Sequence, residues 1–271
     1  MPFDRISIGD VQLIRGDWLP LMAAMPAASV DLVFGSPPYE DARTYDMDFK
    51  LKGQDWVDWM VEVVRASLRV SKGLVGFVVE GRTRKFRWSA TPALLMADLH
   101  RAGVHLRKPP VYRRVGIPGS GGPDWWRNDY EFIICCTNGG ELPWSENTAT
   151  GHPPKYKPGG RPSHRQADGQ RVHGHYKPPE LANPGNIIDC GAAGGGNIGD
   201  EIAHEGEAPF PEALVEPFVR CFCPPGGTVL DPFLGSGTTV AVALRWGRKA
   251  IGVDVRESQI ELTKRRIEAA Q

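Results

Sequence analysis

Short apolar runs, separated by segments whose apolar residues recur at helical spacing, constrain the fold of this chain more than any other feature. The runs are Val11–Ile14, Val30–Gly35, Leu74–Val79, Tyr130–Cys136, Thr228–Asp231 and Ala250–Asp254, each short enough for a strand. Between them, Asp55 is placed to cap a helix carrying Trp56, Met60, Val64 and Leu68 on one stripe. Pro211 opens another, with Leu214, Val215, Phe218, Val219 and Phe222 at helical spacing. Ser258-Gln259-Ile260-Glu261 reads as a capping box ahead of the last helix. Strands alternating with helices predict an α/β protein with a largely parallel sheet. No apolar run approaches the roughly 20 residues that span a bilayer. The segment Met1-Pro2-Phe3-Asp4-Arg5 lacks the basic-then-apolar order of a signal peptide, so the expectation is a soluble cytoplasmic protein.

A chain of 271 residues is long enough for one large domain, or for one domain with an insertion. From Gly139 to Gly199 the periodicity disappears and Gly, Pro, His and basic residues dominate, before the α/β pattern resumes. This divides the chain into a first part at 1–138, an irregular insertion at 139–199 and a final part at 200–271 that completes the first domain. Lys and Arg total 32 and Asp and Glu total 32, which argues against a polyanion partner until the distribution is considered. Arg82, Arg84, Lys85, Arg87, Arg101, Arg107, Lys108, Arg113 and Arg114 are opposed only by Asp98. A second basic stretch holds Lys155, Lys157, Arg161, Arg165, Arg171 and Lys177. Two such runs beside an aromatic-containing insertion point to a polyanion groove. Cys135, Cys136, Cys190, Cys221 and Cys223 form no CxxC pair and read as reduced core residues. His152, His164, His173 and His175 lack metal-ligand spacing, so no metal site is expected.

Two constellations carry chemistry. The run Thr228–Asp231 leads into Asp231-Pro232-Phe233-Leu234-Gly235-Ser236-Gly237-Thr238-Thr239 and then a helix. Glycines at a strand's carboxyl end let the backbone approach a ligand closely, and the helix start beyond supplies amide donors. Asp254 ends the next strand, where a carboxylate can accept hydrogen bonds from ribose hydroxyls. A P-loop would need lysine after Gly237, and a dinucleotide fold would need glycine where Val240 stands. Both readings fail at a defining residue. The second constellation, Ser36-Pro37-Pro38-Tyr39, follows the run Val30–Gly35. Its prolines fix φ and remove amide donors, so the neighbouring carbonyls can face a site beside the Ser36 hydroxyl.

Taken together, the two motifs resemble those of the amino-group DNA methyltransferases that use S-adenosylmethionine. In that family the cofactor motif reads Asp-Pro-Phe-x-Gly-Ser-Gly-Thr-Thr and the catalytic motif Ser/Asp-Pro-Pro-Tyr, matched here at 231–239 and 36–39. The order of catalytic motif, insertion and cofactor motif resembles the family's permuted β group, with target recognition in the middle. The resemblance implies a Rossmann-like class I methyltransferase fold, circularly permuted, with a mixed and mostly parallel sheet. It implies catalytic roles for Ser36, Pro37, Pro38 and Tyr39. It also implies cofactor contacts from Asp17, Phe210, Asp231, Pro232, Phe233, Gly235, Ser236, Gly237, Thr238 and Asp254. Phe210-Pro211-Glu212-Ala213-Leu214 resembles a segment that closes over the cofactor's methionine end. His204 departs from it in spacing, and Glu205 replaces the family's proline, so the role of His204 stays open.

The expected substrate is double-stranded DNA, from which the target base must be rotated out for its amino group to be reached. Tyr39 is expected to stack on that base, with Tyr112 a weaker candidate for the opposite wall. Arg113, Arg114, Lys155, Lys157, Arg161, Arg165 and Arg171 are the expected DNA contacts, while Trp125 and Trp126 are expected in the core. Serine at position 36 favours cytosine-N4 over adenine-N6, the alternative target. A small-molecule or RNA substrate is a third reading, which the basic insertion disfavours. A homodimer and a cognate restriction endonuclease are partners that the resemblance leaves open.

Overall fold

A computed structural model describes residues 3–41, 49–115, 121–155, 163–174, 177–191, 202–205 and 209–270. In chain order the elements are β1 (Asp4–Ile8), β2 (Val11–Arg15), α1 (Trp18–Ala24), β3 (Val30–Gly35), α2 (Gln54–Val70), β4 (Ser71–Val79), β5 (Thr83–Arg84), β6 (Arg87–Trp88) and α3 (Thr91–Arg101). They continue with β7 (His105–Leu106), β8 (Val111–Val115), β9 (Tyr130–Thr137), β10 (Ser163–Arg165), β11 (Arg171–His173) and β12 (Ile187–Gly191). The last are α4 (Glu212–Phe222), β13 (Thr228–Asp231), α5 (Thr238–Arg245), β14 (Lys249–Asp254) and α6 (Glu257–Ala269).

The main sheet runs β1-β2-β14-β13-β3-β4-β9-β8-β12, with β7 also paired to β9. Its middle is parallel from β2 to β4, while β1, β7 and β9 add antiparallel pairs and β12 returns parallel to β8. All six apolar runs lie in this sheet. The stretch 139–199, irregular in sequence, supplies its edge strand β12, and Glu146 donates its backbone N–H to the Cys221 carbonyl at 2.9 Å. The isolated hairpin β10–β11 also belongs to this stretch.

Side chains alternate across the sheet, and each face is covered by three helices. Leu32 and Phe34 face the layer of α4, α5 and α6, where Leu214, Phe218, Val240 and Ile260 are buried. Val33, Val75 and Phe77 face α1, α2 and α3, against Leu21, Trp56, Met60 and Leu95. Val30 lies on this second face although it is two residues from Leu32; a register shift against β4 between the two residues breaks the alternation. Since β3 is covered on both sides, its sequence is apolar rather than alternating.

Four details depart from the sequence reading. Gly53, at φ 54°, is the N-cap of α2, and Asp55 sits in the first turn, where its charge still suits the helix dipole. The capping box at 258–261 does not form: α6 begins at Glu257, because the Asp254 carboxylate accepts the Arg256 backbone N–H at 2.9 Å and turns the chain earlier. Tyr112 is core, its hydroxyl donating to the Gly191 carbonyl at 3.2 Å, and so forms no wall for a base. Trp125 and Trp126 are exposed, Trp126 by 93%, rather than core. No helix of the described residues is long and apolar enough to cross a membrane.

At the centre of the sheet β3 and β13 converge at their carboxyl ends. A Cβ on Gly35 would lie 2.3 Å from Asp231 Oδ1, inside van der Waals contact. Gly35→Ala should therefore destabilise the protein by about 1–3 kcal/mol, the usual range for forced overpacking. Urea denaturation monitored by tryptophan fluorescence should report the loss.

Candidate active site

Parallel strands β2, β14, β13 and β3 end at one edge of the sheet, and their following loops enclose a cleft of about 220 Å³. Ser36, Pro38, Asp17, Phe210, Pro232, Phe233, Gly235, Ser236, Thr238 and Asp254 all line it, so both sequence constellations share one cavity. Pro37 and Asp231 are buried, and Gly237 caps α5 at φ 77°. Trp18, Phe49 and Trp59 complete its apolar wall around Phe233. These three rings were not legible as cleft residues, because Trp18 and Trp59 lie in helices α1 and α2, where an aromatic side chain reads as core, and Phe49 stands in a loop.

The catalytic loop is held from several sides. Trp56 of α2 donates its indole N–H to the Pro38 carbonyl at 2.9 Å. Ser36 Oγ donates to the Val78 carbonyl at 3.3 Å, so its oxygen lone pairs remain able to accept. The Pro37 carbonyl takes no hydrogen bond among the described residues. Tyr39 donates its hydroxyl to Glu131 Oε2 at 2.6 Å, and Arg114 lies 3.3 Å from Glu131 Oε1. Glu40, buried immediately after the tetrad, accepts backbone N–H groups of Gly53 at 3.1 Å and Arg82 at 3.0 Å.

On the opposite wall, the Gly235 N–H donates to Asp254 Oδ2 at 3.0 Å, and Arg256 occupies Asp254 Oδ1 through its N–H and Nε. Asp254 thus closes the turn as well as facing the cleft. Asp17 is exposed and caps α1 by accepting the Leu19 N–H at 3.0 Å. Arg266 of α6, almost wholly buried, donates to the Ser236 carbonyl at 3.0 Å, to Thr238 Oγ1 at 3.2 Å and to Glu212 Oε1 at 2.6 Å. This buried pair braces the glycine turn from behind; an arginine within an otherwise helical apolar stripe was the only sign of it in the sequence.

Two carboxyls near the cleft are raised to about 7, in each case chiefly by burial. Asp231 Oδ1 accepts the Phe233 N–H at 3.0 Å. Glu80, just past β4, accepts the Gly81 N–H at 2.9 Å and the Trp88 indole at 3.3 Å on Oε1, while Oε2 has no partner among the described residues. The thiols of Cys136, Cys190 and Cys223 are pushed up to about 12 by burial, which keeps them protonated at neutral pH.

Arg113, Arg114, Lys155, Arg165 and Arg171, the described members of the expected DNA contacts, do not line the cleft. Arg113 forms a two-pronged contact with Asp189 at 2.8 and 2.5 Å, and Arg114 is committed to Glu131 and to the Asn128 carbonyl. Arg165 and Arg171 face each other across the exposed β10–β11 hairpin, and Lys155 is exposed. Lys157, Arg161 and His175 lie outside the described residues. Among those described, no group of His, Cys, Asp and Glu side chains is arranged to hold a metal ion.

Residues 30–265 match the family model of the N6/N4 methyltransferases, described as DNA methylase. The chain belongs to the N6/N4 DNA methylase family. It is 27% identical to the DNA adenine methyltransferase YhdJ of Escherichia coli (strain K12), over 95% of this chain and 83% of that one. It is 26% identical to the type II methyltransferase M.ScaI of Streptomyces caespitosus, over 96% and 82%. The fold resembles that of the cytosine-N4-specific PvuII DNA methyltransferase with a TM-score of 0.71 at 19% identity, covering 95% of this chain and 86% of that one. It also resembles a DNA modification methylase of Thermus thermophilus, solved with S-adenosylmethionine, with a TM-score of 0.61 at 24% identity over 94% and 93%. This methylase therefore has the Rossmann-like class I fold, acts on DNA amino groups and uses S-adenosylmethionine.

The raised carboxyl of Glu80 has a signed consequence for stability. From its ordinary value of 4.5 up to about 7, the folded chain retains a proton that the unfolded chain releases, so this contribution to stability is lost as pH rises through that window. Glu80→Gln, which cannot ionise, should flatten the decline in urea midpoint between pH 4.5 and 7.

Proposed function

We propose that this methylase transfers a methyl group to the exocyclic N4 amino group of cytosine in duplex DNA, the base being rotated into the cleft. The observation that carries the reading is the placement of a neutral hydroxyl acceptor, Ser36, in the same cavity as the glycine turn 235–237. Ser36 Oγ, which already donates to Val78, accepts one amino hydrogen, and the carbonyl of Pro37 accepts the other. The Pro38 carbonyl already accepts the Trp56 indole N–H, which leaves the Pro37 carbonyl as the less engaged acceptor. Two acceptors on the amino hydrogens favour a pyramidal nitrogen whose lone pair faces the methyl donor, and the rigid prolines hold that geometry at no reorganisation cost. S-adenosylmethionine, when bound, would supply an already activated sulfonium methyl, its sulfur keeping the electron pair of the broken C–S bond while the amino nitrogen gives up one proton to solvent.

The cleft suits that cofactor: Trp18, Phe210 and Phe233 offer apolar surface, while Asp17 and Asp254 offer carboxylates to hydroxyl donors. Pro232, Gly235, Ser236, Gly237 and Thr238 would pass the backbone close beside it, with Asp231 buried beneath. Tyr39 would present its ring to the base while Glu131 holds its hydroxyl. Lys155, Lys157, Arg161, Arg165 and Arg171 would meet DNA phosphates, whereas Arg113 and Arg114 are held by Asp189 and Glu131. We assign the work to the cytoplasm, where the DNA of a bacterial cell lies. A homodimer and an endonuclease of matching specificity are further proposals, the latter supported by the type II description of M.ScaI.

Adenine-N6 is the second reading, favoured by the likeness to an adenine methyltransferase. Nucleoside analysis of DNA incubated with the protein and labelled cofactor should yield N4-methylcytosine; N6-methyladenine alone would establish the second reading. Ser36→Ala should lower turnover by about 100-fold or more, as loss of one preorganised polar contact does elsewhere, while duplex affinity changes little. Binding of duplex DNA to the parent should weaken steeply with added salt.

A further inference from the structure

The hairpin β5–β6 takes no part in lining the cleft, yet its surface is unusual. Phe86 stands at its tip and is 70% exposed. The tip residues Lys85 and Phe86 have φ of 47° and 64°, a left-handed turn normally left to Asn and Gly. Retaining a bulky apolar side chain at such a position works against both solvation and backbone preference. Lys85 and Arg87 flank it and make no ion pair among the described residues. The rings of Phe86 and Trp125 stand nearly perpendicular at 5.3 Å between centroids, and Trp126, next to Trp125, is almost fully exposed.

The base of the hairpin is tied to the catalytic loop. Arg82 donates its N–H to Glu40 and its guanidinium to the Asp41 carbonyl at 2.6 Å; Arg84 pairs with Asp41 at 2.7 Å. Trp88 closes the other side through the Glu80 carboxyl. Glu40 and Asp41 directly follow Ser36–Tyr39, so the hairpin projects from the rim of the cleft on a fixed base. An apolar tip between two cations complements duplex DNA, with phosphates on either side of a base stack.

We infer that Phe86 is a wedge that enters the base stack beside the extruded nucleotide, while Lys85 and Arg87 hold the adjoining phosphates. The inference rests on the proposed base-extruding DNA methyltransferase activity and adds the element that opens the duplex. A wedge matters most when the target base is well paired, because extrusion is easiest from a mismatch.

The test compares the parent with Phe86→Ala, Phe86→Leu and the double variant Lys85→Ala/Arg87→Ala. The target site is first located by modification-sensitive sequencing of plasmid DNA treated with the parent. Single-turnover methylation is then measured on a duplex carrying that site and on the same duplex with a mismatch opposite the target base. Phe86→Ala should lose roughly 10-fold or more on the matched duplex and little on the mismatched one, with Phe86→Leu, still an apolar wedge, close to the parent. Lys85→Ala/Arg87→Ala should weaken both duplexes alike and reduce the salt slope of binding by about 2. Equal loss on both duplexes for Phe86→Ala, or no loss on either, would overturn the wedge while leaving the proposed activity intact. A parent that methylates no DNA would overturn the activity itself, and the wedge with it.

Discussion

The close approach of Gly35 to the buried Asp231 carboxylate is the constraint from which the site follows. Only a residue without a side chain lets β3 and β13 converge there, and that convergence brings Ser36 to the glycine turn. Asp231 carries an energetic cost for its position, shown by a carboxyl held near 7 by burial. The return is geometric: its Oδ1 fixes the Phe233 amide, and thereby the direction in which the turn leaves the strand. The same edge is closed on its other side by Asp254, which binds the Gly235 amide across from β14. Two carboxylates at the ends of adjacent strands therefore shape the cavity before any ligand is considered.

Around this centre, acids and bases are distributed in a way that net charge conceals. Arginines that read as a basic run are often consumed locally, Arg113 by Asp189, Arg114 by Glu131 and Arg84 by Asp41. Fewer cations are therefore left for a polyanion than the count implied. Rigidity of the catalytic loop has a similar origin, since side chains of α2 and β9 and the backbone of the segment after β4 each take hold of one of its polar groups.

Much of the fold was legible because it rests on local pattern. The runs at Val30–Gly35 and Thr228–Asp231 coincide with β3 and β13, and burial on both faces is why Leu32–Phe34 and Val229–Leu230 are apolar without alternation. Strands with weaker pattern escaped notice: β1 alternates with exposed residues, β8 carries two arginines in five residues, and β12 is an edge strand within a Gly- and Pro-rich stretch. The two motif loops were readable from glycine and proline chemistry. Partners that exist only in three dimensions were not; nothing near Tyr39 in sequence announces Glu131, and nothing near Ser236 announces Arg266. Trp125 and Trp126 depart from expectation for a related reason, since tryptophan is highly buried on average and nothing in the local sequence marks these two as exposed.

The strand order has a consequence for how the molecule comes into being. Its central pair joins β3 at Val30–Gly35 to β13 at Thr228–Asp231, so the middle of the sheet cannot close until synthesis has passed Asp231. Until then β3 offers an unpaired, strongly apolar margin to its surroundings, a state open to misassociation. Slow synthesis of the stretch between the two strands would prolong that exposure.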